Sequence, residues 1–158
     1  MGLRRKYTFR FDGRKIVFIK KSGETEDHVL GKAVLFALFH RLYPDLTVEV
    51  PVEGRYKPDV VALGREGGPV FWGESGMMSI RKMRELLKKH PHTRFAFLKH
   101  TRNIDSFIRE YRRAAGAGTL ANRRAPAELI GRPPDLSPYI LPNGTITITR
   151  EDCVITEL

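Results

Sequence analysis

A single cysteine, Cys153, stands in 158 residues, so no disulfide can close within the chain. A lone thiol suits a reducing compartment, and the expected location is the cytoplasm. No apolar run approaches the ~20 residues that a membrane-spanning helix needs. The opening MGLRRKYTFRF alternates as a strand does, which sets it apart from a signal peptide. No internal repeat is visible. Acidic residues are in short supply: 18 Asp and Glu stand against 28 Lys and Arg, a formal charge of +10. That balance points to an anionic partner, nucleic acid ahead of a membrane surface.

What is present is an ordinary globular composition, 41% hydrophobic and 29% charged, in a chain long enough to bury a core without staples. One domain over 1–158 is expected. Tyr7, Phe9 and Phe11 alternate up to an Asp12-Gly13 turn, and Lys15–Lys20 returns as the second strand of a hairpin. A helix is predicted from about Glu24 to Arg41, entered at Ser22 or Gly23, with Val29, Leu30, Ala33, Val34, Phe36, Ala37 and Phe39 as a broad apolar stripe. Thr47–Val52 reads as a strand. Ser79 caps a second helix over Ile80–His90, Arg94–Leu98 is a buried strand, and Asn103 caps a third helix over Ile104–Ala114. The segment 116–138 is rich in Gly, Ala, Arg and Pro, and reads as a flap or an extended arm with one helical turn at Ala125–Ile130. Thr145–Thr149 and Cys153–Thr156 read as a closing hairpin. The order implies an α/β or α+β fold, one mixed sheet with flanking helices.

The most informative stretch is KPDVVALGREGGPVFWGESG, residues 57–76. It reads as two short strands, Pro58–Leu63 and Val70–Glu74, joined by a glycine turn. Asp59 opens the first and Glu74 closes the second. If the strands pair as a hairpin, the two carboxylates meet at one end of the ribbon. Adjacent anions repel unless a cation lies between them, and a hard divalent ion such as Mg²⁺ or Mn²⁺ takes oxygen ligands of this kind. The bland alternative is a turn cap and a solvated strand end. Running the stripe of the first helix back one turn reaches Glu26, which would point toward the sheet as a third carboxylate. Basic segments flank the acidic centre. Residues 1–22 hold eight cations against Asp12, and residues 78–102 hold eight against Glu85. Arg81, Arg84 and Lys99 of the latter are the expected contacts to a phosphate backbone. His90 and His92 lack the further ligands a zinc site requires.

These residues carry a family resemblance. GETEDHVLGKAVLFALFH, KPDVVAL, FWGESG and the basic turn at Arg81-Lys82 together resemble the YaeQ family, whose fold is like that of the PD-(D/E)xK phosphodiesterase superfamily. NGTITI is loosely similar to that family's closing hairpin, and residues 112–138 match poorly. The resemblance implies a restriction-endonuclease-like core, with Glu26, Asp59 and Glu74 as the acidic cluster and Glu24 a rival for Glu26. The lysine of the superfamily's Glu-x-Lys pattern is replaced here by Gly76. Lys82, three residues past its Ser79 cap, either reaches back toward Glu74 in its place or belongs to a solvated face. The expected function is that of a metal-dependent nuclease-like phosphodiesterase. The alternative is a catalytically silent module that binds nucleic acid or a protein partner on the same fold.

Overall fold

The computed structural model describes residues 5–52, 54 and 56–158; Arg4 of the first basic segment lies outside them. Strand β1 (Arg5–Phe11) pairs antiparallel with β2 (Arg14–Lys20) about Asp12 and Gly13, both at positive φ, as a tight hairpin turn requires. Alternation puts Phe9, Phe11 and Phe18 inward and leaves Val17 and Ile19 on the outer face. Helix α1 (Glu26–Phe39) starts later than expected. Thr25 is its cap, with Oγ1 accepting from the His28 N–H at 3.1 Å, and Glu26 and Asp27 complement the helix dipole. The β1–β2 ribbon packs on α1, and α1 packs on the main sheet. This explains why the apolar stripe is so broad: Val29, Ala33, Val34, Leu35, Phe36, Leu38 and Phe39 are all buried.

The main sheet has six strands in the order β3 (Thr47–Val48), β4 (Val60–Leu63), β5 (Pro69–Ser75), β6 (Arg94–Lys99), β7 (Ala127–Gly131) and β8 (Val154–Glu157). β4 is antiparallel to both β3 and β5. β5, β6 and β7 run parallel, and β8 returns antiparallel to β7. Helix α2 (Ile80–Lys89) links β5 to β6, while α3 (Asp105–Ala115) and the short α4 (Ala117–Ala121) link β6 to β7. Two cores result. Phe71, Ala96, Leu98 and Ile130 face α1, whereas Trp72, Phe95, Phe97 and Leu129 face Met83, Leu86, Leu87, Ile104 and Tyr111 of the other helical layer. The mixed sheet with flanking helices is the expected class. Among the described residues no helix is long and apolar enough to cross a membrane.

Four expectations need correcting. Ala125–Ile130 is not a helical turn; Ala127–Gly131 is an interior strand, every residue of it buried. Within the segment 116–138, residues 127–133 are therefore buried, while α4 and the turn after it stay at the surface. Val154–Glu157 does not pair with Thr145–Thr149 as a hairpin. It pairs with β7, while Thr145 and Ile146 bridge to Arg10 and Ile140. The strand at Thr47 ends at Val48, because Glu49 takes φ 53° and turns its side chain toward α1. Helix α3 has Ile104 at its N-cap and no side-chain cap, so Asn103 does not serve as expected.

Candidate active site

Asp59 and Glu74 do meet. The β4–β5 register pairs Val60 with Gly73, so the next step along the ribbon sets Asp59 beside Glu74. The Asp59 N–H donates to the Gly73 carbonyl at 3.2 Å, and Asp59 Oδ2 accepts from the Ser75 N–H at 2.8 Å. Glu74 shares its face with Trp72, as strand alternation dictates, and its Oε1 accepts from Trp72 Nε1 at 2.9 Å. No guanidinium contacts either carboxylate among the described residues.

Helix α2 brings in the lysine. Ser79 Oγ accepts from the Lys82 N–H at 3.1 Å, which fixes the first turn, and Lys82 Nζ lies 3.0 Å from Glu74 Oε1. The same ammonium lies 5.3 Å from the Tyr56 ring centre. Of the two readings of Lys82, the structure shows the one that reaches back.

Helix α1 supplies the other flank, through a histidine. His28 Nε2 is 3.2 Å from Asp59 Oδ1 and 3.6 Å from Glu24 Oε1. The helix comes this close because Gly31 has no side chain; a methyl there would overlap Ser75 Oγ. His28 lies one turn before Gly31 on the same face, and that spacing was the available signal. Glu24 is tied to Lys32, which also donates to Glu49 at 2.7 Å. Lys32 is only 3% exposed, so its ammonium is neutralised inside the fold by two acids.

Glu26 is elsewhere. It is exposed and lines a groove with Tyr7, Phe9, Leu30 and Leu136. Position 26 falls on the Leu30 side of α1, by the ribbon, whereas Glu24, just before the cap, reaches Asp59 through His28. Lys99 also departs from expectation. It is 5% exposed, and its ammonium donates to the Gly76 carbonyl and to Tyr111 Oη, each at 2.9 Å, so it is not a surface contact. Arg81 and Arg84 are exposed on α2, as expected, with Arg81 Nε 3.0 Å from Glu85.

The environments drive the two central carboxylates apart. For Asp59, burial pushes upward, but hydrogen bonds from His28 and the Ser75 N–H, and the charges of His28 and Lys32, hold it below the usual range. For Glu74, burial and the neighbouring Asp59 charge raise the carboxyl, and Lys82 and Trp72 only partly offset them. His28 is raised by its hydrogen bond to Asp59, against burial. The two acids are thus shifted in opposite directions, the kind of separation found at functional sites.

Among the described residues no three of His, Cys, Asp and Glu converge on a point suited to a metal ion. Two carboxylate groups remain. That donor set fits a small hard ion that retains most of its water, and does not fit a closed protein cage.

No protein-family model matches the sequence, and no curated protein matches it. The fold itself is that of the YaeQ proteins. The YaeQ protein from Xanthomonas axonopodis pv. citri superposes with a TM-score of 0.56 at 14% identity, over 80% of this chain and 72% of that one. The YaeQ protein from Pseudomonas syringae superposes with a TM-score of 0.59 at 12% identity, over 81% and 72%.

Proposed function

We propose that this chain is a YaeQ-like member of the PD-(D/E)xK superfamily, a metal-dependent phosphodiesterase-like domain of the cytoplasm that acts on or binds nucleic acid. The observation that carries the reading is the meeting of Asp59 and Glu74 at the end of the β4–β5 ribbon with Lys82 3.0 Å from Glu74. Asp59 and Glu74 would hold Mg²⁺ or Mn²⁺, which when bound acidifies a water and polarises phosphate oxygens. Asp59, kept ionised by His28 and the Ser75 N–H, is the standing negative ligand. Glu74, paired with Lys82, is the second carboxylate of the site. Lys82 orients Glu74 and presents positive charge where a phosphate would gather negative charge. Arg81 and Arg84 would grip the backbone without reading bases.

Calorimetric titration with Mn²⁺ tests the metal. Wild type is expected to bind one ion, and Asp59→Asn and Glu74→Gln each to weaken it at least tenfold. Equal affinity in all three proteins sinks the reading. Incubation of plasmid, single-stranded and branched DNA with Mg²⁺ tests turnover, which Asp59→Ala should abolish.

A second reading is favoured by the carboxylate contacts themselves. His28 on Asp59 and Lys82 on Glu74 neutralise the acids without a metal. A module that binds nucleic acid without cutting would keep this arrangement. A salt-sensitive gel shift with no cleavage at any Mg²⁺ concentration selects it.

A further inference from the structure

One cation near this site has no acid in contact with it. Lys99 Nζ lies within ion-pair distance of no carboxylate among the described residues. Its partners are neutral: the Gly76 carbonyl, the Tyr111 hydroxyl, and the rings of Phe107 and Tyr111 at 4.9 and 5.0 Å. A tie to a carbonyl can be made by a neutral amide, and burying an ammonium for that purpose is costly. The charge therefore calls for a use.

Its position supplies one. β5 and β6 run parallel with Ser75 beside Leu98, and the Gly76 N–H donates to the Leu98 carbonyl at 3.0 Å, so Gly76 lies next to Lys99. Lys99 alternates onto the face of Phe97 and Glu74. From Gly76, at φ 88°, the chain runs directly to the Ser79 cap and Lys82. The charged and titratable groups around Lys99 are Tyr111 and Glu110 of α3, with Glu74 of β5 reached by way of Tyr111; beyond β6 the Arg132 N–H meets only its backbone carbonyl. Burial pushes the Lys99 amine down to about 8, with Glu110 opposing, which leaves it charged at neutral pH. Burial lifts the Tyr111 hydroxyl to about 12, and the charges of Glu110 and Glu74 add to that. Tyr111 thus feels Glu74, and Lys99 sits against Tyr111.

We propose that Lys99 is a positioning residue of the acidic site: fixed on Gly76 and Tyr111, it holds the link from β5 to α2, and with it Lys82, and lends the pocket a standing positive charge that favours an arriving phosphate group over a lone metal ion. This rests on the reading of Asp59, Glu74 and Lys82 as the site. A charge in this place acts with opposite sign on ligands of opposite sign, which a purely structural strut cannot do.

The test uses the full chain and two probes, pyrophosphate and Mn²⁺, each titrated alone by calorimetry at pH 7 into wild type, Lys99→Met and Lys99→Arg, with thermal midpoints recorded. Lys99→Met is expected to weaken pyrophosphate about tenfold and tighten Mn²⁺ about threefold, and Lys99→Arg to restore both. Weakening of both probes together, or no change in either, overturns the proposal, as does failure of wild type to bind pyrophosphate. If wild type binds pyrophosphate but not Mn²⁺, the metal reading fails and the pyrophosphate series alone decides the role of Lys99. Should Lys99→Met not fold, Tyr111→Phe removes one of the two anchors and should weaken pyrophosphate in the same direction by a smaller factor.

Discussion

At the scale of single residues, this protein is defined by charges placed inside it. Lys32 is matched by Glu24 and Glu49, and Asp59 by His28, but Lys99 touches only neutral groups, with Glu110 acting from a distance. Stability should report that difference. The folded-state pKa of Lys99, about 8, lies below the ~10.4 of a solvated lysine, so the unfolded chain holds the proton more tightly. Lys99 therefore adds stability as pH rises from about 8 toward 10, while folding no longer has to bury the charge. Above ~9 that gain is opposed, because burial holds the Cys153 thiol near 11 and, from ~10, Tyr111 near 12, so the folded chain keeps protons that the unfolded chain releases. Urea midpoints at pH 7.5 and 9.5 should differ in wild type, and the difference should shrink in Lys99→Met. Equal differences would show that the ammonium is already satisfied.

At the scale of elements, the site depends on how closely α1 lies against β5. Gly31 permits that approach, and Gly31→Ala should cost about 1–3 kcal/mol through overlap with Ser75 Oγ. Ser75→Gly in the same chain opens the space and should recover part of the loss; a denaturant midpoint series on the three variants decides it. The first turn of α2 is the second point of leverage. Ser79→Ala removes the acceptor of the Lys82 N–H and should cost about 1 kcal/mol. It should also weaken Mn²⁺ or phosphate binding, since Lys82 is then held less firmly against Glu74. The carboxylate hairpin and the Ser79 cap were legible because each is encoded within about twenty residues: a glycine turn, two apolar runs, a serine before a helix. Glu26 misled because the stripe of α1 is covered on two sides. As the first residue of the helix, Glu26 continues the Leu30 side, which lies by Tyr7 and Phe9 of the ribbon, and not the side that meets the sheet.

At the scale of the whole molecule, four layers stack: the ribbon, α1, the sheet, and the α2–α3 pair. The outer layers carry much of the excess positive charge, with Arg5, Lys6, Arg14 and Lys15 on one and Arg81, Arg84, Lys88, Arg109 and Arg113 on the other, all exposed. Binding to duplex DNA should weaken steeply with salt. Arg81→Ala and Arg84→Ala should each reduce the slope of log K against log salt by about one. An unchanged slope would remove the α2 face from the contact surface. The fold class was legible from the order of strands and helices, but β7 was not. Its five residues sit in Gly-, Pro- and Arg-rich text, and only burial between β6 and β8 makes them a strand.

By itself the amino-acid sequence determined the β1–β2 hairpin, the existence of the helices, the positive charge, and the convergence of Asp59 with Glu74. Each of these follows from a turn, a period or a composition that neighbouring residues carry between them. The tertiary structure alone decided that Glu24 and His28, not Glu26, approach Asp59, that Lys99 is inside, and that β7 lies in the sheet. Those outcomes depend on which distant segments pack together, and burial and counter-charge belong to the packed assembly of segments, not to any one stretch of chain.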